Sequence, residues 1–169
     1  EDEIFQNIKK EKNKVIFDVG SFKGKFTQKI LKIDKNRQNS KYYLFDPNPN
    51  GLKYIQKLKK ENKNIQYNRI GLDDKIKKKK FYLNKFFEAS GSSFQTILKD
   101  DKMWNKSRRQ VLKLFNIFNK KKLENFQQIN VNTDTIDNFC IKKKIKKIDL
   151  LKIDAEGHEE FILKGSSKF

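Results

Sequence analysis

The chain has 169 residues, with 40 Lys and Arg against 21 Asp and Glu and a formal net charge of +19. That length allows one domain with a real core, and 36% hydrophobic residues with 12% aromatics exclude a disordered polyelectrolyte. Arg occurs only at 37, 69, 108 and 109. The excess is therefore lysine, and it travels with Asn, Ile, Phe and Tyr, all residues of A/T-rich codons. Codon bias explains the charge better than a nucleic-acid interface, which favours Arg forks and stacked aromatics, so no specific nucleic-acid partner is expected. Cys140 is the single cysteine, which excludes an internal disulfide, and no Cys/His zinc spacing is present. No apolar run is long enough to span a bilayer and no signal peptide is visible, so a cytoplasmic location is expected, although the sequence starts at Glu1 without Met.

The first element in the chain is Lys14–Gly20, KVIFDVG, a short apolar β-rich run that reads as a buried strand. After it Phe22, Phe26, Ile30 and Ile33 recur at helical spacing with lysines between them. Lys41–Asp46 reads as a second strand, and Asn48 with Pro49 reads as a cap and first residue of a helix carrying Leu52, Ile55 and Leu58 on one face. A third strand is predicted from Ile65 to Ile70. This β-α-β-α-β order predicts a mostly parallel sheet with helices on both faces.

Regularity then lapses. Residues 75–87 read as an edge strand blunted by lysines, 88–94 as a polar glycine turn, and 97–122 as partly helical, with Val111, Phe115 and Phe118 on one face. The stretch of about 86–126 reads as an insertion on the substrate side. A further strand and a helix capped by Thr133 or Asp134 follow, then a last strand ending at Asp154 and a helix with Phe161 and Ile162 inward and Gly165 at its end. Doubly wound sheets continue past such a strand. The chain is therefore expected to be one domain, 1–169, lacking its C-terminal strands, with an exposed edge prone to aggregation.

Ligands of open α/β sheets bind beyond the carboxyl ends of the strands. The residues predicted there are Asp18, Gly20, Ser21 and Gly24 after the first strand, Asp46 and Asn48 after the second, Gly71, Leu72 and Asp73 after the third, and Asp154, Glu156 and His158 after the last. Gly20 and Gly24 allow close backbone approach, and an acid at the end of the second strand can accept hydrogen bonds from ribose hydroxyls. The pattern describes a nucleoside-cofactor site. GSFKG lacks the triple glycine of a dinucleotide fingerprint, whereas S-adenosylmethionine carries no phosphate and fits DVGSFKG, FDPNP and GLDD in that order.

The blocks VIFDVGSFKGKFT, YLFDPNP, GSSF, VNTDTIDNF and above all IDLLKIDAEGHEEFILKG resemble the FkbM-type family of S-adenosylmethionine-dependent methyltransferases, over nearly the whole chain and in the family's order. The resemblance implies a Rossmann-like class I fold and methyl transfer to a hydroxyl of a sugar, glycolipid or polyketide-like acceptor. It assigns Asp18, Gly20, Ser21, Gly24 and Thr27 to the first cofactor motif, Asp46 to the ribose and Leu72 and Asp73 to the adenine side. Phe22 and Lys23 depart from the family's usual loop. DPNP follows the second strand, whereas the similar motif of amine methyltransferases follows the fourth, where this chain has KIDAEG.

In the acidic cluster, Asp154 is placed to orient the donor or the acceptor hydroxyl, His158 to act as general base, and Glu156 to stand behind them. Glu159 and Glu160 read as first-turn acids of the last helix. Lys152 lies on the same strand face as Leu150 and Asp154, and reads as a packed lysine whose head reaches an acid. Two carboxylates are a thin ligand set, so no metal is expected. The rival readings are a nicotinamide-dependent oxidoreductase and a non-catalytic basic module that binds RNA or a membrane surface.

Overall fold

In the computed structural model, residues 13–84, 93–94 and 126–168 are described. Five elements build the first half: β1 (Val15–Val19), α1 (Lys25–Ile33), β2 (Lys41–Phe45), α2 (Leu52–Glu61) and β3 (Ile65–Asn68). Two short strands and a long one follow, β4 (Gly71–Leu72), β6 (Ser93–Phe94) and, between them, β5 (Lys78–Asn84). The rest is β7 (Phe126–Asp134), α3 (Ile136–Lys143), β8 (Leu150–Ile153) and α4 (Glu159–Lys164).

The strands β3-β2-β1-β8 form one parallel sheet, with Asp18 opposite Leu44 on one side and Lys152 on the other. Period-two alternation sends Ile16, Tyr42, Leu44 and Ile65 to one face, where Ile30, Leu31, Ile55 and Leu58 of α1 and α2 cover them. Phe17, Val19, Tyr43 and Phe45 go to the other, against Ile136, Phe139 and Cys140 of α3 and Ile162 of α4. The ring of Phe139 meets Phe17, Tyr43 and Phe45 edge-on at 4.8–5.8 Å between centroids. Helices on both faces of a parallel sheet are what the β-α-β order predicted.

At the end of α1 the chain buries an ion pair. Lys14 Nζ lies 2.8 Å from Asp34 Oδ1, each residue 1% exposed, and the carboxylate also accepts from Ser40 Oγ, Tyr42 Oη and the Asn36 amide. Those donors fill the lone pairs that would otherwise make a buried carboxylate costly. They tie the entries of β1 and β2 to the end of α1.

Several local expectations are corrected. The third strand stops at Asn68 rather than Ile70, because Gly71 and Leu72 leave for a second sheet of order β4-β7-β5-β6, pairing there with Thr133 and Asp134. The lysine-rich strand β5 is not simply an edge. It pairs with β7 along its whole length, and on its other side with β6 at Phe81 and Tyr82. The cap of α3 is Thr135, whose Oγ1 accepts from the Asn138 amide at 3.0 Å. Thr133 lies inside β7, with its hydroxyl spent on Lys75 and Lys77 backbone groups. Phe22 precedes α1 and adopts φ +39 instead of sharing the helix face. Asn48 does act as a cap: its Oδ1 accepts from the Asn50 amide, opening a 3-10 turn at Pro49–Gly51 that leads into α2. The glycine turn, apart from Ser93–Phe94, and the predicted helix at 97–122 lie outside the described residues. Among the described residues β8 has one neighbour, β1, and no helix is long and apolar enough to cross a membrane.

Candidate active site

A cleft of about 510 Å³ opens at the carboxyl ends of β1, β2 and β8. Gly20, Ser21, Asp46, Asn48, Leu72, Asp154 and Glu156 line it, joined by Phe22, Phe26, Phe81 and Lys152. Its volume suits a small-molecule ligand. A wider groove of about 880 Å³ lies between α1 and α2, lined by residues such as Lys32, Arg37, Lys57 and Asn64, and contains none of the predicted site residues.

The loop after β1 is held by its own backbone and by Asp46. The Gly20 and Ser21 amides both donate to Phe45 O, at 2.9 and 3.2 Å, and the Phe22 amide donates to Asp46 Oδ2 at 2.8 Å. Asp46 Oδ1 accepts from the Asn48 amide at 2.7 Å. One carboxylate therefore joins the loops after β1 and β2. It is 7% exposed, and burial pushes it up to about 6 despite the two amides, which pull the other way. The Ser21 hydroxyl, at the cleft wall, is buried and makes no hydrogen bond with a described residue.

The two glycines have different tasks. Gly20, at φ +71, lies against strand β8: an added Cβ would stand 1.8 Å from Asp154 O. Gly24, at φ +73, does not line the cleft. An added Cβ there would meet Ile55 Cδ1 at 2.9 Å and Leu58 Cδ2 at 3.1 Å, so this glycine lets α1 pack on α2.

Asp18 and Thr27 also lie beneath the cleft rather than in it. Both are fully buried, and Thr27 Oγ1 donates to Asp18 Oδ2 at 2.7 Å. Lys152 stands 3.2 Å from Asp18 Oδ1 and donates to Val19 O and Gly20 O, at 3.2 and 3.0 Å. Lys152 thus reaches an acid, as a packed lysine would, and it also lines the cleft. Asp154 is exposed, 3.6 Å from the same ammonium. Glu156 holds φ +52, a left-handed conformation costing a residue with a Cβ on the order of 1 kcal/mol.

His158 is not brought to the cleft with Asp154 and Glu156. It is 1% exposed, its Nε2 lies 3.1 Å from Asp73 Oδ1, and its ring stacks on Phe161 at 4.8 Å and 14°. Lys79 Nζ reaches both partners, 3.4 Å from His158 Nε2 and 3.1 Å from Asp73 Oδ2. Burial alone would raise the Asp73 carboxyl. Hydrogen bonds from His158, the Asp74 amide and Lys79 outweigh it and hold the group well below the usual carboxylate range. Asp73 thus faces this cluster, and Leu72 alone of the pair lines the cleft. Among the described residues no group of three or more His, Cys, Asp or Glu side chains could hold a metal ion.

A family model for the methyltransferase FkbM domain matches residues 18–169. The chain belongs to the FkbM methyltransferase family. A solved structure titled methyltransferase FkbM from Methylobacillus flagellatus KT is similar in fold, with a TM-score of 0.51 and 13% identity over 92% of this chain. The chain spans 29% of the length of that protein. A comparison with curated proteins finds no match. The parallel sheet flanked by helices and the likeness to that structure are consistent with a Rossmann-like fold.

Proposed function

We propose that the cleft binds S-adenosylmethionine and that the domain methylates a hydroxyl of a sugar, glycolipid or polyketide-like acceptor. The observation that carries this reading is Asp46. It is a buried carboxylate at the end of β2, bridging two loops and lining the cleft. Its second lone pairs are available to ribose hydroxyls. The buried Ser21 hydroxyl at the same wall, without a partner among the described residues, supplies a further polar group for the donor. Leu72 and Ile70 give the apolar side that an adenine ring requires. The residues present therefore fit the donor, which supplies an electrophilic methyl group when bound.

Catalysis of such a transfer is positioning plus removal of one proton from the acceptor hydroxyl. Beside Asp46 the cleft is lined by two more carboxylates, Asp154 and Glu156, which are assigned to hold that hydroxyl and take its proton. Lys152 lies between Asp18 and Asp154 and offsets their charge. Asp18, Thr27, Gly24, Asp73 and His158 are assigned to shaping the cleft from beneath, since none of them lines it. This leaves His158 a structural task instead of the general-base task expected from its position in the sequence.

Calorimetric titration with adenosylmethionine, adenosylhomocysteine and NAD tests the reading. Binding of the two adenosyl compounds with no binding of NAD is expected. Tighter binding of NAD would replace the methyltransferase reading with the nicotinamide one.

A further inference from the structure

The wall of the cleft formed by Asp154, Ala155 and Glu156 is an irregular loop with two consecutive left-handed residues, Glu156 at φ +52 and Gly157 at φ +91. Such a turn gathers backbone N–H groups on its inner side, and these need an acceptor. Glu159 supplies it. Its Oε1 accepts from the Ala155 amide at 2.9 Å and from the Gly157 amide at 3.2 Å. The loop is also packed against Gly20, where no Cβ could fit beside Asp154 O. One carboxylate and one missing side chain therefore both fix the wall.

Glu160, the next residue, shows what an ordinary first-turn acid does in this chain. It is exposed, and among the described residues it pairs only with Lys164, one turn on, at 2.7 Å. Glu159 instead reaches back across the loop. We infer that Glu159 is a positioning residue of the cleft, holding Asp154 and Glu156 in place for the bound ligand without touching it. This rests on the reading of the cleft as the adenosyl site.

The test is the affinity of the full chain for adenosylhomocysteine, measured by calorimetry alongside the melting temperature. Loss of two charge-assisted hydrogen bonds is expected to weaken binding about tenfold in Glu159→Ala. Glu159→Gln keeps an acceptor oxygen and is expected to stay within about threefold of the wild type, and Glu160→Ala to match it. If Glu159→Ala does not fold, Glu159→Asp serves, because the shorter side chain cannot reach both amides. A structural role limited to α4 would lower the melting temperature and leave the affinity of the folded protein unchanged. Wild-type affinity in Glu159→Ala or Glu159→Asp would overturn the inference while the adenosyl site stood. Failure of the wild type to bind adenosylhomocysteine would remove both.

Discussion

Asp46 gives the sharpest handle on the site, through pH. Its ordinary value is 3.8 and burial raises it to about 6 in the folded protein. Two units correspond to about 3 kcal/mol of penalty on the ionised form. The unfolded chain releases this proton near pH 4, so between about pH 4 and pH 6 the folded state holds more protons than the unfolded one. The contribution of Asp46 to stability therefore falls as pH rises through that window. A ribose whose hydroxyls donate to the carboxylate selects the ionised form. The dissociation constant of adenosylhomocysteine is then expected to rise about tenfold from about pH 7 to about pH 5, following the fraction of ionised Asp46. Asp46→Asn removes the titration, and at neutral pH it is expected to weaken binding by about 2 kcal/mol, because one amide partner of the carboxylate meets an NH₂ group instead. Calorimetric titration of both proteins across this range is the assay. A wild-type profile that stays flat, or one that Asp46→Asn reproduces, would refute the assignment of Asp46 to the ribose.

Other changes test the scaffold. Lys14→Met leaves the Asp34 carboxylate buried with no cation, and is expected to cost about 3 kcal/mol in urea denaturation. Gly20→Ala combines a Cβ at φ +71 with backbone overlap at Asp154 O. It is expected to cost at least about 2 kcal/mol of stability and to weaken adenosylhomocysteine binding as well. His158→Ala removes a hydrogen bond to a buried carboxylate and a stacked ring, and is expected to cost about 2 kcal/mol by thermal melting. Methyl transfer and its pH profile should survive that change; loss of turnover in a folded His158→Ala protein would restore His158 as the base.

The first half of the fold was legible because its signals are local. The continuous apolar runs of β1 and β2, the i, i+3 spacing of Ile55 and Leu58, and the Asn48–Pro49 cap are each local in sequence. The strand ends then brought Gly20, Ser21, Asp46, Asn48, Leu72, Asp154 and Glu156 to one cleft, as parallel topology requires. What sequence spacing could not show is where a buried polar group finds its partner. Asp18 and Lys152 meet only because β1 and β8 are neighbours in register. His158 sits among acids in the chain and so reads as a general base beside them, yet its partners Asp73 and Lys79 come from the end of β4 and from β5. The step of the chain from β3 into a second sheet does leave a mark, since the alternation of Ile65 and Tyr67 falls next on Arg69, and Ile70 packs in the cluster on the opposite face.

The account stands most directly on where an adenosyl ligand binds. Amide chemical-shift mapping of the ¹⁵N-labelled chain with adenosylhomocysteine reads this out residue by residue. Shifts at Gly20–Phe22, Asp46, Asn48, Leu72 and Asp154–Glu156 are the predicted result. Shifts confined to Lys32, Arg37, Lys57 and Asn64, in the larger groove between α1 and α2, would contradict it.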